Sequence, residues 1–425
     1  MKNRKFFILF LLLFFNFNVF GKVDNYHWLK KSIDISLHQL LSTATELSDS
    51  LKFPRSTWTV CDLTLISQQL NKEIKSSDTC LKKVPLQLKG KRRLCDIYDW
   101  TSGFFPGSLW YLYDLTKDET VKNQAIKYTK LLYPIKYYKG THDIGFMMLC
   151  SYGNAYRITI NDTILPILIQ TANNLAGRFD DKIGCIRSWD FGKWKFPVII
   201  DNMMNLELLY FATNITKNPY YKNIAIKHAD TTLKNHFRSD ASSYHLVSYN
   251  PDGSVEIKQT FQGKNDSSKW ARGQAWALYG YTVCYRETSD KTYLMQAQKI
   301  ADMIMKEVST KDLIPFWDYD APNLKNTPRD ASAAAITASA LFELCTYLPD
   351  KDKYFSYAET ILKNLSSNKY IAKKGSNQGF ILKHSTGSLP HCSEIDTPIN
   401  YADYYYLEAI KRYMNLKQLT YQNLK

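Results

Sequence analysis

WYLYDLTKDETVKNQAIKYTKLL, residues 110–132, carries the reading of the fold. Apolar residues recur at helical spacing on both sides of a polar break, Thr116-Lys117-Asp118. An Asx residue at such a break accepts hydrogen bonds from the next backbone turn and caps a following helix. Ala125, seven residues after Asp118, is small enough to let two helices approach. The stretch therefore predicts a helical hairpin closed by a tight turn. The phrase recurs at Ile160-Asn161-Asp162, Thr216-Lys217-Asn218, Thr288-Ser289-Asp290 and Leu348-Pro349-Asp350. Ala225, Ala297 and Ala358 follow three of these turns at the same distance or one residue more.

Working outward, the apolar periodicity predicts helices at about 25–51, 103–115, 119–132, 144–160, 163–178 and 202–213. Others are expected at 220–237, 270–287, 292–308, 331–347, 353–365 and 401–413. Residues 52–93 are polar and irregular, with Pro54 and Pro85, and HLVSYNPDGSVEIKQTF, residues 245–261, reads as a hairpin turning at Asn250–Gly253. Successive polar turns lie 44, 56, 72 and 60 residues apart, whereas a solenoid would keep one period. Tight turns at one end and variable loops at the other describe an all-α closed toroid of helical hairpins, with function on the long-loop face.

The chain has 425 residues, 45% of them hydrophobic, enough for a substantial core. Residues 1–21 read as a signal peptide: Lys2, Arg4 and Lys5 precede the apolar stretch Phe6–Phe15. Residues 22–425 are then expected to form one catalytic domain, exported to the periplasm, with full secretion as the alternative. No later stretch approaches transmembrane length, so no membrane insertion of the mature chain is expected. The formal charge is +15, and leaving out those three leader residues makes it +12. A diffuse basic field suits an anionic ligand. The aromatics are interleaved with acids, which argues against nucleic acid. The eight cysteines form no metal-ligand spacing, and no metal or cofactor is expected. A disulfide is expected among Cys61, Cys80 and Cys95, with most other cysteines as buried thiols.

The candidate chemistry centres on PVIIDNMMNLELL, residues 197–209. Val198, Ile199 and Ile200 deliver Asp201 to the start of a helix. Desolvation there raises a carboxyl pKa and makes it a proton donor near neutrality. A plain N-cap is the structural reading of the same residue. Asp143, in THDIGF, offers a second carboxylate. The long loops also carry Asp99, Trp100, Phe104, His142, Trp189, Trp194, His245, Gln262, Arg272 and His384, with Trp276 just inside a helix. Taken singly each has a structural role: Trp110 and Trp276 as core, Trp317 as a packing plug, Asp330 as an N-cap. Gathered on one face, aromatics beside acids and amides suit a sugar. HExxH, GxSxG and a phosphate-binding glycine loop are all missing.

DWTSGFFPGSLWYLY, HDIGF with SYGNAYR, IIDNMMNLELL, WARGQAWALYGY and HSTG…YADYYYLEAI occur in that order. Together they resemble the unsaturated glucuronyl hydrolases, glycoside hydrolase family 88, from about Ser56 to Tyr413. The resemblance implies an (α/α)6 toroid of six hairpins. It also implies hydration of the C4=C5 bond that polysaccharide lyases leave in an unsaturated uronic acid. Asp201 matches the family's acid/base. Asp143 matches the second essential acid, which holds sugar hydroxyls and raises the Asp201 pKa. Phe104, His142, Trp189, His245, Gln262, Arg272, Trp276 and His384 fall on or beside subsite residues. Trp189 and Trp276 are expected to stack on sugars at the mouth, and Arg272 to meet an anionic group. Some relatives grip sulfate with a Ser-x-x-Ser-x-Lys pattern, from which Leu382–Ser388 departs. The expected substrate is a glycosaminoglycan disaccharide. The alternatives are an unsaturated rhamnogalacturonyl hydrolase acting on pectin fragments and a glycan-binding protein without turnover.

Overall fold

The computed structural model describes residues 26–64 and 86–424. The expected leader, residues 1–21, and Cys80 lie outside them. Among the described residues the helices of the ring follow in order: α1 His27–Glu46, α2 Phe104–Thr116 and α3 Glu119–Leu131. Next come α4, which runs Ile144–Met148, a π turn Leu149–Gly153 and Asn154–Thr159, then α5 Leu165–Ala176, α6 Asn202–Thr216 and α7 Pro219–Asn235. Then come α8 Ala271–Thr288, α9 Lys291–Glu307, α10 Ala331–Leu344, α11 Lys351–Leu365 and α12 Asn400–Leu416. Each expected helix is present, most with ends within three residues.

The even-numbered helices form an inner ring. Neighbours α2, α4, α6, α8, α10 and α12 touch in sequence, and α12 closes onto α2. The odd-numbered helices lie outside and pack against them, which makes an (α/α)6 toroid. Burial explains the division. Every residue from Ala271 to Cys284 in α8 is buried, and α10 is buried almost throughout. Helices buried all round lie inside, whereas α9 and α11 bury one stripe.

The tight turns share one mechanism. Lys117, Ile160, Lys217 and Ser289 end inner helices in left-handed backbone. Asp118, Asn161, Asn218 and Asp290 then accept from the amides of Thr120, Thr163, Tyr220 and Thr292 at 2.8–3.1 Å. Asp350 departs from the pattern, since its side chain makes no cap bond. Ala125, Ala225, Ala297 and Ala358 are all fully buried, as expected of contact alanines.

Residues 52–93 are not wholly irregular. Strand β1, Phe53–Thr57, pairs antiparallel with β2, Arg92–Cys95, through a register shift between Pro54 and Ser56. Most of β1 is buried, so no polar/apolar alternation marks it. Short strands β3 Phe179–Asp180 and β4 Cys185–Ile186 pair next. The expected hairpin is present as β6, Leu246–Tyr249, with β7, Val255–Gln259. It gains a third strand, β5 Pro197–Ile199.

The disulfide corrects the expectation from sequence proximity. Cys61 pairs with Cys392, 331 residues away, and Cys95 is a buried free thiol. Closure of the ring brings the segment after β1 against a C-terminal loop. Arg55 bonds Glu394 at 2.7 Å there, and Asp62 accepts from Ser393 Oγ at 3.1 Å. Cys150, Cys185, Cys284 and Cys345 are buried free thiols, as expected. Replacing Cys61 and Cys392 together with Ser is expected to lower unfolding free energy by about 2–4 kcal/mol in denaturant titration. Unchanged stability would mean that the surrounding hydrogen bonds suffice. Among the described residues no helix is long and apolar enough to cross a membrane.

Candidate active site

The long loops bring the N-terminal ends of α2, α4, α6 and α8 around one cavity of about 410 Å³. Asp143, Trp189, Asp201, His245, Gln262 and Arg272 all line it. The two carboxylates meet because α4 and α6 cross closely. A Cβ on Gly145 would lie 2.4 Å from Asn205 Oδ1 and 2.8 Å from Asn205 Cα, so only glycine fits. Asn205 Oδ1 also accepts from the Phe146 amide at 2.9 Å, which locks the crossing.

Asp201 occupies the N-cap position of α6, but its side chain makes no cap hydrogen bond. Strand β5 pairs with β6, and the Ile200 amide donates to the His245 carbonyl at 2.9 Å. That pairing carries Asp201 to the cavity with its carboxyl free. Asp201 is 7% exposed, and its buried Oδ2 has no protein hydrogen bond among the described residues. Burial raises its pKa most. Arg272 pulls it down and Asp143 pushes it up again, leaving it at about 7. A proton donor poised near neutrality suits general acid catalysis.

His245 Nε2 lies 3.6 Å from Asp201 Oδ2. Its Nδ1 faces the amides of Phe261 and Gln262, each at 3.0 Å. Two backbone N–H donors at one nitrogen make it the acceptor, so the neutral ring carries its proton on Nε2, beside Asp201. Burial first, then the Arg272 charge, holds the His245 pKa well below the ordinary imidazole value. His245 is therefore a neutral donor beside the acid.

Asp143 stands at the N-cap of α4, also without a side-chain cap bond. Its Oδ2 accepts from Thr141 Oγ1 at 2.8 Å, and His142 Nε2 lies 3.3 Å from its Oδ1. His142 is fully buried behind Asp143 and positions it from outside the cavity wall. Burial lowers the His142 pKa against the opposing pull of Asp143.

Arg272 reaches the cavity with its guanidinium already engaged. Nη1 donates to Asp330 Oδ2 at 2.9 Å and to the Thr386 carbonyl at 2.6 Å. Nη2 donates to the Gly387 carbonyl at 2.6 Å and lies 3.5 Å from Gln262 Oε1. Asp330 is an N-cap as expected, accepting from Ser332 and Ala333, and also the partner of Arg272. The arginine thus gives the cavity its positive charge while bracing the 384–388 loop.

Four expected contacts are corrected: His142, buried behind Asp143, and three more. Trp276 is fully buried within the ring, against Phe146 and Tyr405, and not at the mouth. Its indole lies beside Asp201 and helps hold that pKa down. Phe104 is also fully buried, beneath Trp100. Both residues sit in the first two turns of inner helices whose faces turn to the core. His384 is not among the residues that line the cavity and pairs with Asp396 at 2.7 Å, with left-handed backbone at His384. Tyr98, Trp100, Tyr138, Phe191 and Phe261 add aromatic rings to the wall, and Asp99, Gly140, Thr141 and Ile199 complete it. Tyr98, Tyr138, Phe191 and Phe261 were not singled out from the sequence, although Phe191 stands in the aromatic- and glycine-containing run Trp189–Trp194.

Two other features resemble sites without being one. Burial pushes Asp403 up to about 8, yet its oxygens accept from the amides of Ile381 and Leu382, a structural role. A cavity of about 570 Å³ opens among the far ends of α2, α4, α6, α8 and α12. Among its acids, Glu207 is pushed up by burial but held at about 2 by Arg157 and Arg286, so that carboxyl is no proton donor near neutrality. Among the described residues no group of three or more His, Cys, Asp or Glu is arranged for a metal ion.

No family model matches the chain. It is 49% identical to the unsaturated glucuronyl hydrolase of Formosa agariphila over 323 residues, covering 75% of this chain and 80% of that protein. It is 32% identical over 335 residues to the unsaturated chondroitin disaccharide hydrolase of Streptococcus agalactiae, covering 76% and 83%. The fold superposes on a crystal structure of an unsaturated glucuronyl hydrolase specific for heparin with a TM-score of 0.82. Identity there is 48%, with 94% of this chain and 99% of that one covered. The enzyme of Bacillus sp. GL1 matches with a TM-score of 0.78 and 27% identity, covering 92% and 97%.

Proposed function

This chain belongs to the unsaturated glucuronyl hydrolases, glycoside hydrolase family 88, and from that premise we propose how its cavity works and on what. It is a glycosidase that hydrates the C4=C5 bond of the unsaturated uronic acid at the non-reducing end of lyase-generated glycosaminoglycan disaccharides. The relatives' substrates support this reading over pectin fragments.

The Asp201 carboxyl protonates C4 of the enol ether, and positive charge develops at C5 and the ring oxygen. The carboxylate left behind takes a proton from the water that attacks C5, which restores the acid. The C5 hemiketal opens to a ketone, and the hemiacetal now exposed at C1 expels the neighbouring sugar. One water is consumed and one keto acid is released. Attack begins away from the anomeric carbon, so carboxylate separation carries no stereochemical message here. Asp143 holds sugar hydroxyls, and its charge adds to the burial that keeps Asp201 protonated. Trp189, sheathed by Phe191 and Phe261, backs the aromatic wall beside the sugar next to the uronate. The Arg272 charge and the inward N-termini of α2, α6 and α8 favour the uronate carboxylate.

The observation that carries this reading is the buried Asp201 carboxyl, its Oδ2 without a protein hydrogen bond, in the same cavity as a second carboxylate, Asp143. Its test is a panel of unsaturated disaccharides from chondroitin, hyaluronan, heparin and pectin, followed by the ultraviolet absorbance of the double bond. Absorbance should fall with glycosaminoglycan disaccharides faster than with the pectin product. A flat trace across the panel, with binding retained, would instead favour a glycan-binding protein. The catalytic domain spans residues 22–425 in this proposal and works in the periplasm. The leader-like residues 1–21 and the Cys61–Cys392 disulfide support export.

A further inference from the structure

The C-terminal loop beside the cavity is a narrow hairpin. Ser385 bridges Thr397 and Ser388 bridges Ser393, and between them the Gly387 amide donates to the Glu394 carbonyl at 2.8 Å. Pro390 and His391, at its tip, are exposed. His384, just before it, and Cys392, Glu394 and Asp396 within it hold left-handed backbone without being glycine. Such conformations persist only where the surroundings fix them. Asp62 fixes the tip by accepting from Ser393 Oγ and the Glu394 amide, at 3.1 and 3.2 Å. The Cys61–Cys392 disulfide joins the tip covalently to the segment after β1.

This hairpin meets the cavity wall at two points. The His391 ring lies against Phe261, with centroids 4.3 Å apart, and Ser388 Oγ lies 2.7 Å from His391 Nδ1. Phe261 lines the cavity, and its amide is one of the two that set the His245 proton beside Asp201. At the base of the hairpin the Thr386 and Gly387 carbonyls accept from Arg272. The far side of the disulfide is tied to the cavity as well. Arg55, in β1, bonds both Glu394 and the lining residue Asp99. Asp143 and Asp201 are carried by other elements, α4 and α6.

We propose that the Cys61–Cys392 disulfide is a positioning element for the reaction. It holds His391 against Phe261 and the Thr386 and Gly387 carbonyls on Arg272, and its reduction weakens substrate binding. Both cysteines are half-buried, within reach of a small dithiol. Reduction by a dithiol breaks the S–S bond. Two electrons and two protons pass to Cys61 and Cys392, which become thiols, and the dithiol closes to its own disulfide. Without the tether the left-handed turn at Cys392 relaxes, His391 leaves Phe261, and the brace on Arg272 loosens. The two acids stay in place, so affinity is lost while turnover of bound substrate is kept. The enzyme then works at full affinity only in an oxidising compartment, where disulfides persist. This inference rests on the hydrolase reading above.

The test measures kcat and KM on one unsaturated disaccharide, with circular dichroism on each sample to follow the fold. Oxidised wild type is compared with wild type reduced by dithiothreitol, the same sample reoxidised, and Cys61→Ser/Cys392→Ser with and without dithiothreitol. KM is expected to rise about tenfold in the reduced enzyme and in the double variant, with kcat within about threefold of wild type. Reoxidation should restore the wild type, and dithiothreitol should leave the double variant unchanged. His391→Ala keeps the disulfide and removes the ring contact on Phe261, so its KM should rise about threefold. An unchanged KM there would overturn the path through Phe261. A reduced enzyme whose KM stays within about twofold of the oxidised one, a loss confined to kcat, or unfolding on reduction would each overturn the positioning role and leave the hydrolase reading standing. Oxidised wild type inactive on the disaccharide would overturn the hydrolase reading, and the positioning role with it.

Discussion

Asp201→Asn is expected to lower kcat by about 10³–10⁴-fold while the disaccharide still binds, because one side chain supplies both the acid and the base. The amide keeps the shape of the carboxyl but can neither give its proton to C4 nor reclaim one from water. Wild-type kcat/KM should fall as pH rises through about 7, where the buried acid loses its proton. The same variant should gain stability. The folded pKa of Asp201, about 7, lies above its reference value of 3.8, so the folded chain retains a proton that the unfolded chain has released. Stability therefore falls as pH rises from 3.8 to about 7. At about 1.4 kcal/mol per unit, the wild type carries up to about 4 kcal/mol of this cost at alkaline pH. Asn escapes it, so the variant should unfold at higher denaturant than wild type above pH 7, with the advantage vanishing in acid. An unaltered kcat would remove Asp201 from the chemistry. Equal stability at alkaline pH would mean that the carboxyl is ionised at little cost.

Arg272→Gln should destabilise the chain by about 3–5 kcal/mol, as expected when one partner of a buried ion pair is removed. The loss reaches three acceptors together: Asp330 Oδ2 and the carbonyls of Thr386 and Gly387. Asp330 keeps its bonds to Ser332 and Ala333 through Oδ1, so α10 retains its cap while the 384–388 loop loses its brace. Denaturant unfolding reads this effect. A second readout separates electrostatics from simple loosening. Arg272 opposes the rise of the Asp201 pKa, so the alkaline limb of the surviving activity should move to higher pH. A limb that stays in place would reduce Arg272 to a structural brace.

The hairpins were legible because their determinants are local. Thr116, Lys117 and Asp118 end one helix and cap the next within three residues, whatever the rest of the chain does. The apolar run Val198–Ile200 likewise marked Asp201 as desolvated, and the structure leaves that carboxyl unpaired and raised. The resemblance put both Trp189 and Trp276 at the mouth, although Trp276, on a helix, also read as core. One lines the cavity and the other is sealed in the ring, because the rotation of α8 about its axis depends on α6 and α10 packed beside it. The sequence also left open that Arg272 is already committed to Asp330, since their partnership crosses 58 residues.

By itself, then, the sequence determined the dozen helices, the end of the toroid that holds the long loops, and the two acids. Capping, periodicity and desolvation act over a few residues and leave a local trace. Only the tertiary structure decided that Cys61 meets Cys392, that His384 pairs with Asp396, and which aromatic rings face the substrate. Those outcomes depend on closure of the ring and on helix rotation, and contacts between distant segments leave no spacing in the chain that specifies them.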